Sequence, residues 1–273
     1  MKLDMGKAWN DAMALVLANR DVVAVVAGVF FFLPNLAFAL LVTNPMADMA
    51  GDANVKPEQL MDMLGQFYVN NWWAFVLLLL LQYVGMLGLV SLLTDRDRPT
   101  VAEALKFGAI CLLPYLGAAL LMSLAMFLVI LVPVMIGAAA KSVAIGALLG
   151  VLAMVVVIYL TIKFSLIAPV MAMEKQLNPI TALVRSWQLT KGNSLLLFAF
   201  YALLAIAFIV VSMMITMVFS LAFALMGAEA AMIGNGFVGS ILNTAWVVVA
   251  VGVWVAIYRQ LSGEVPTTVA TFE

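Results

Sequence analysis

The chain has no histidine, a single cysteine and charged side chains at only 10% of its 273 positions. Each scarcity closes off a kind of chemistry. Without imidazole, a general base near neutral pH would have to be a displaced carboxylate or lysine. A metal centre would rest on one thiol and on loop carboxylates that lack ligand spacing, so no metal and no cofactor is expected. Cys111 stands alone inside an apolar run, which excludes an internal disulfide and leaves the redox compartment unread. The net charge of -1 and the lack of a basic block give no reason to expect nucleic acid.

What the chain has instead is hydrocarbon. Hydrophobic residues make up 66% of it and the mean hydropathy is +1.17, whereas soluble domains are roughly 45–50% apolar. These values describe an all-α integral membrane protein. Apolar runs near 22–43, 72–93, 109–136, 143–168, 195–226 and 237–258 are each long enough to cross a bilayer. They must be helices, because hydrocarbon offers backbone N–H and C=O groups no partner outside the segment. The fifth run exceeds a single crossing and is expected to tilt or project. No Asp or Glu falls within any run, so the buried carboxylate that a membrane enzyme or an ion-coupled pump would use is not supplied.

The basic residues set the orientation. With the N-terminus inside, eleven of the 13 Lys and Arg residues lie on one side, and Lys56 and Lys141 on the other. That asymmetry places both termini in the cytoplasm. Asp4 and Asp11 precede the first apolar run, which argues against a cleaved signal peptide. Residues 1–21 read as an amphipathic helix at the cytoplasmic interface, with Trp9, Ala12, Met13, Val16 and Leu17 on one side. Residues 22–258 then form the six-helix transmembrane domain, and 259–273 a cytoplasmic tail.

A second interfacial helix is legible in NPITALVRSWQLTKGNS. Asn178 suits the N-cap, Pro179 the first helical position and Gly192 the residue past the end. Ile180, Leu183, Val184 and Trp187 form one apolar stripe at helical spacing, with Trp187 at headgroup depth. Thr100 and Glu103 form a capping box before the third run. Setting Pro99 on Pro179 aligns the two segments and suggests a parallel internal repeat. On the outer side, Leu60, Met61, Leu64, Phe67 and Tyr68 suggest a short amphipathic helix on the membrane before Trp72 and Trp73.

Several patterns carry bland readings. GNGFVG at 234–239 matches a dinucleotide fingerprint in letters only, since no strand precedes it. Gly146 and Gly150 are spaced to seat a neighbouring helix. The 19 methionines suit packing against lipid, because no histidine or cysteine cluster supports soft-metal binding.

Residues 166–198 carry a family signal: Ala168-Pro169, Glu174, Pro179, Ala182, Arg185-Ser186-Trp187, Leu189-Thr190 and Gly192, echoed by Tyr258-Arg259-Gln260-Leu261. This stretch resembles the membrane domain of some bacterial glycerophosphoryl diester phosphodiesterases and of related inner-membrane proteins built from that domain alone. The resemblance implies the bacterial inner membrane and a link to phospholipid metabolism or envelope upkeep. It does not imply the phosphodiesterase activity, which needs a histidine pair and metal-binding carboxylates that this chain lacks.

The expected function is therefore non-enzymatic: a scaffold or accessory in phospholipid or envelope homeostasis, with membrane lipids, further copies of itself or another inner-membrane protein as partners. Arg185 beside Trp187 is the first candidate for a lipid phosphate, supported by Lys191, Arg96, Arg98 and Arg259 at the inner interface. Each basic side chain there gains about 1 kcal/mol from anionic headgroups. A transporter of a lipid or small amphiphile is the alternative, and it would show a cavity lined by Asn35, Gln82 and Asn243. A membrane-embedded enzyme is a third reading.

The orientation is testable by labelling. In a Cys111→Ser background, Lys141→Cys is expected to react with a membrane-impermeant maleimide in intact spheroplasts, and Lys191→Cys only after permeabilisation. The reverse pattern would invert the topology.

Overall fold

A computed structural model describes residues 2–42, 57–94 and 100–263, and among these every regular element is a helix. The order is α1 (Met5–Ala18), α2 (Arg20–Ala27), a π-helical turn (Gly28–Phe32), α3 (Leu33–Leu41), α4 (Pro57–Thr94), α5 (Val101–Ala139), α6 (Val143–Lys163), α7 (Ile167–Met173), α8 (Pro179–Leu189), α9 (Ser194–Ala224) and α10 (Ala228–Ser262). Six stretches are long and apolar enough to cross a membrane: 20–41, 58–94, 101–139, 143–173, 194–224 and 228–262. The protein is thus a multi-pass helical membrane protein.

The helix boundaries follow the local chemistry. Thr100 and Glu103 make the reciprocal box, with Glu103 N–H donating to Thr100 Oγ1 at 3.3 Å and Thr100 N–H to Glu103 Oε2 at 2.9 Å. Asn178 Oδ1 accepts from the N–H groups of Ile180 and Thr181, Pro179 opens α8, and Gly192 takes φ +84° past its end. In the first span Pro34 has no N–H to donate. A π-helical turn precedes it, and Asn35 Nδ2 donates to the Phe31 carbonyl at 2.7 Å.

Three expectations change. The segment from 57 to 68 is no separate outer helix, because α4 runs unbroken from Pro57 to Thr94. Likewise the helix capped at Thr100 continues straight into span three, while α8 is set off from α9 by the turn through Thr190–Asn193. Both aligned segments are thus N-capped helices, and they differ in that one stops at Leu189 while the other runs on into the span. At 38, 39 and 35 residues, α4, α5 and α10 are each about 50–60 Å long. They exceed the bilayer as much as the fifth run does. The Gly234–Gly239 stretch lies inside α10, with Gly234 against the Phe223 ring and Gly236 against Ala39.

Packing is concentrated at one end of the bundle, called here the base, where the start of α1, α7, α8 and the C-terminal end of α10 meet. Leu166, Val170, Met171, Leu197, Ile257 and Tyr258 form one buried cluster there with Ala8 and Ala12 of α1. Phe31, Leu87, Leu89, Val90, Cys111 and Val251 form the adjoining one. Helix α1 docks on α10 through Ala8, Ala12 and Val16, leaving Trp9 and Leu17 outward. At the opposite end the halves of α5, α6 and α9 expose consecutive residues, such as Ile209, Val210 and Val211. The α5–α6 hairpin is closed by Gly137 against Gly146, while Gly150 touches nothing. Arg96 and Arg98 lie outside the described residues, as do residues 43–56.

Close backbone approach makes a specific demand at Gly108. A Cβ there would sit 2.8 Å from the Val84 carbonyl oxygen and 3.0 Å from the Gly88 nitrogen, neither of which can yield as a flexible side chain would. Gly108→Ala is expected to destabilise the detergent-solubilised protein by about 1–3 kcal/mol. Gly150→Ala, with open space around it, is expected to leave the melting temperature unchanged or slightly raised.

Candidate functional site

The break between α6 and α7 is the chemical centre of the base. The chain leaves helical geometry at Phe164–Leu166, which strips backbone groups of their intrahelical partners. Ser186, fully buried on α8, supplies two of them: its Oγ donates to the Lys163 carbonyl at 2.7 Å and accepts from the Leu166 N–H at 3.3 Å. Thr190 Oγ1, one turn later and also buried, reaches the same carbonyl at 3.5 Å. Thus hydroxyls staple α8 to the α6–α7 junction, beside packing from half of its apolar stripe: Leu183 lies against the buried cluster and Trp187 against Phe164. Ile180 and Val184 of that stripe are left exposed.

Neighbouring residues extend the staple. Arg185 Nε donates to Glu174 Oε1 at 2.7 Å, and the Tyr258 hydroxyl donates to the same oxygen at 2.9 Å, joining α8 and the end of α7 to α10. The Glu174 hydrogen bond holds the Arg185 guanidinium above its ordinary pKa despite some desolvation. Trp187 packs edge-to-face on Tyr159, with ring centroids 5.7 Å apart. Lys163 does not snorkel freely. Its residue is 2% exposed, and its ammonium sits 5.1 Å from the Trp187 ring centroid and 5.5 Å from that of Tyr159.

Of the basic residues singled out from sequence, Arg96 and Arg98 lie outside the described residues, and Arg185 and Arg259 each make an internal tie. Arg185 is paired with Glu174, and Arg259 Nη2 donates to the Leu93 carbonyl at 2.7 Å and to that of Thr94 at 3.3 Å, closing the end of α4. Lys191, on the turn after α8, is exposed. Asn35, Gln82 and Asn243 do converge. Asn35 Nδ2 donates to Asn243 Oδ1 at 3.1 Å and Gln82 Nε2 to Asn35 Oδ1 at 3.3 Å, tying spans one, two and six. These amides bond to one another and are not among the residues that line the cavity described next.

A cavity of about 550 Å³ lies between α4, α5, the α6–α7 junction, α9 and α10. Its floor is Phe164, Ser165, Ile167 and Ala168, the residues that the Ser186 staple holds in place. Tyr83, Tyr115, Tyr201, Trp246 and Trp254 supply aromatic walls, Met122, Met126 and Leu204 aliphatic ones, and among the described residues no charged side chain contributes. Tyr201 Oη donates to Ser165 Oγ at 3.1 Å, while Ser123 and Thr161 are bonded to carbonyls of their own helices. Tyr83 and Tyr115 meet edge-to-face at 5.1 Å. Sequence reading missed this site because its aromatics are scattered over four helices, each lost in an apolar run. The one available signal was tyrosine within a span, a residue that brings a hydroxyl into hydrocarbon.

No protein-family model, curated protein or solved structure matches this chain.

The staple predicts an inverted ranking of two substitutions. Ser186→Ala is expected to cost about 1–3 kcal/mol in detergent, since it strands buried backbone groups. Arg185→Ala removes a charge from a pair whose arginine side chain is 41% exposed, and is expected to cost only about 0.2–1 kcal/mol. Thermal unfolding of both variants checks the order.

Proposed function

We propose that this is a non-enzymatic lipid-binding protein of the bacterial inner membrane, an accessory in phospholipid or envelope homeostasis that holds one amphiphile in the cavity above its α6–α7 junction. The observation that carries this reading is the cavity itself. Its volume falls within the roughly 300–1,000 Å³ typical of small-molecule sites, with mostly apolar walls and a few polar groups. It lies among helices with spanning length, where the abundant molecules are lipids. A scaffold alone would be expected to have a filled bundle. The resemblance of residues 166–198 to the phosphodiesterase-associated membrane domain gives the metabolic setting.

Both termini then face the cytoplasm, and the exposed Lys191, with Arg96 and Arg98, meets anionic headgroups at that surface. Arg185 and Arg259 act mainly as internal ties, which moves the principal lipid contact from the basic face into the bundle. A transporter is the second reading, favoured by one feature. Helix α5 packs on α4, α6, α7 and α8 but hardly on α9 or α10, so a gap stands between α5 and the α9–α10 pair beside the cavity, while α6 still meets α9.

Native mass spectrometry of protein extracted gently with its lipids tests the proposal. Wild type and Arg185→Ala are expected to retain a lipid that Ala205→Trp, which fills the cavity, loses. Loss in Arg185→Ala with retention in Ala205→Trp would return the site to the basic face. No lipid in any of the three, with a second protein bound, would favour a scaffold.

A further inference from the structure

Resting on that reading, the cavity lining also specifies the head of its occupant. The Tyr83 and Tyr115 hydroxyls have no hydrogen-bond partner among the described residues, and neither do the Trp246 and Trp254 indole N–H groups. Tyrosine and tryptophan in apolar surroundings ordinarily find a partner, because an unmade hydrogen bond in low dielectric is costly. All four groups can donate. The hydroxyls of Ser123 and Thr161 are already committed to helix carbonyls, and Tyr201 and Ser165 to each other. An uncharged acceptor on the occupant would complement these uncommitted donors.

A phosphate or carboxylate would enter with a full charge and meet no cation among the described lining residues. Lys163, two residues past Thr161, is turned to the other side of α6, where Tyr159 and Trp187 cover its ammonium. Burying an anion under those terms is far more costly than burying a neutral oxygen. A quaternary ammonium could use the aromatic faces, yet among the described residues no carboxylate lines the site to balance it, and the free hydrogen atoms of the tyrosines and tryptophans would be left unpaired. From this donor-rich, charge-free lining we infer that the cavity takes an uncharged amphiphile whose head presents hydroxyl or ester oxygens, of the acylglycerol type. Tyr83 and Tyr115 are its specificity-determining residues.

The test uses three probes with one oleoyl chain and different heads: monooleoylglycerol, oleate and oleoylcholine. Each is titrated into the purified, delipidated full-length protein and the bound fraction is read by native mass spectrometry. Wild type is expected to hold monooleoylglycerol roughly tenfold more tightly than the other two, and Tyr115→Phe to weaken that probe alone by about 3–10-fold. Ala205→Trp and, as a second cavity-filling variant, Ala119→Trp are expected to abolish binding of all three. Equal binding of the three heads, or preference for oleate or oleoylcholine, with sensitivity to the filling variants overturns the inference about the head while the cavity remains the lipid site. Failure of Tyr115→Phe and Tyr83→Phe to change monooleoylglycerol binding overturns their assignment. If binding is unaffected by both filling variants, or absent in wild type, this inference and the reading it rests on fall together.

Discussion

A helix that breaks where water is scarce leaves backbone groups with nowhere to turn, and the base of this protein is organised around one such break. Lys163 gives up its carbonyl and Leu166 its N–H, and one buried hydroxyl, Ser186 Oγ, serves both. That bridge fixes where α8 must lie. It also fixes the direction in which the chain re-enters as α7, and so the positions of Phe164, Ser165, Ile167 and Ala168, which form the cavity floor. The neighbouring pairs act on the same joint: Glu174 draws Arg185 and Tyr258 together, and Trp187 closes over Lys163.

The cations of the base consequently work inward as well as outward. Arg259 closes the C-terminal carbonyls of α4, where the helix dipole favours positive charge. Lys163 is the last residue of α6 and gains from the same dipole and from two aromatic faces. Counting basic residues per loop cannot tell a headgroup ligand from a helix cap.

Packing changes character along the bundle. In water an exposed stretch such as Ile209–Val210–Val211 would drive association; in a bilayer lipid tails are equally apolar, and no hydrophobic force pulls α9 onto α5. Helices stay together where something more specific acts: glycine-mediated approach at Gly108 and at Gly137 with Gly146, the Asn35–Gln82–Asn243 amides, and the hydroxyl staple. Where none of these acts, the helices part, and the large rings of Tyr83, Tyr115 and Trp246 bridge the space without filling it.

The six spans, the capping box at Thr100 and the Asn178–Pro179 start of α8 were legible in the sequence, because run length and capping depend on residues within a few positions of each other. The mutual engagement of Asn35, Gln82 and Asn243 was half legible: rarity marked them, but whether they faced a cavity or each other depended on the register of three helices. The unbroken α4 and α5 were not, since amphipathic stretches at 57–68 and 100–107 are compatible with helices that stop or continue. By itself the sequence determined a multi-pass helical protein with no histidine chemistry, because composition and hydropathy act locally and additively. Only the tertiary structure decided that Arg185 meets Glu174 across 11 positions and Tyr258 meets it across 84. It alone likewise decided that aromatics from four helices enclose one cavity, because such contacts exist only once helices have chosen their neighbours and their rotation.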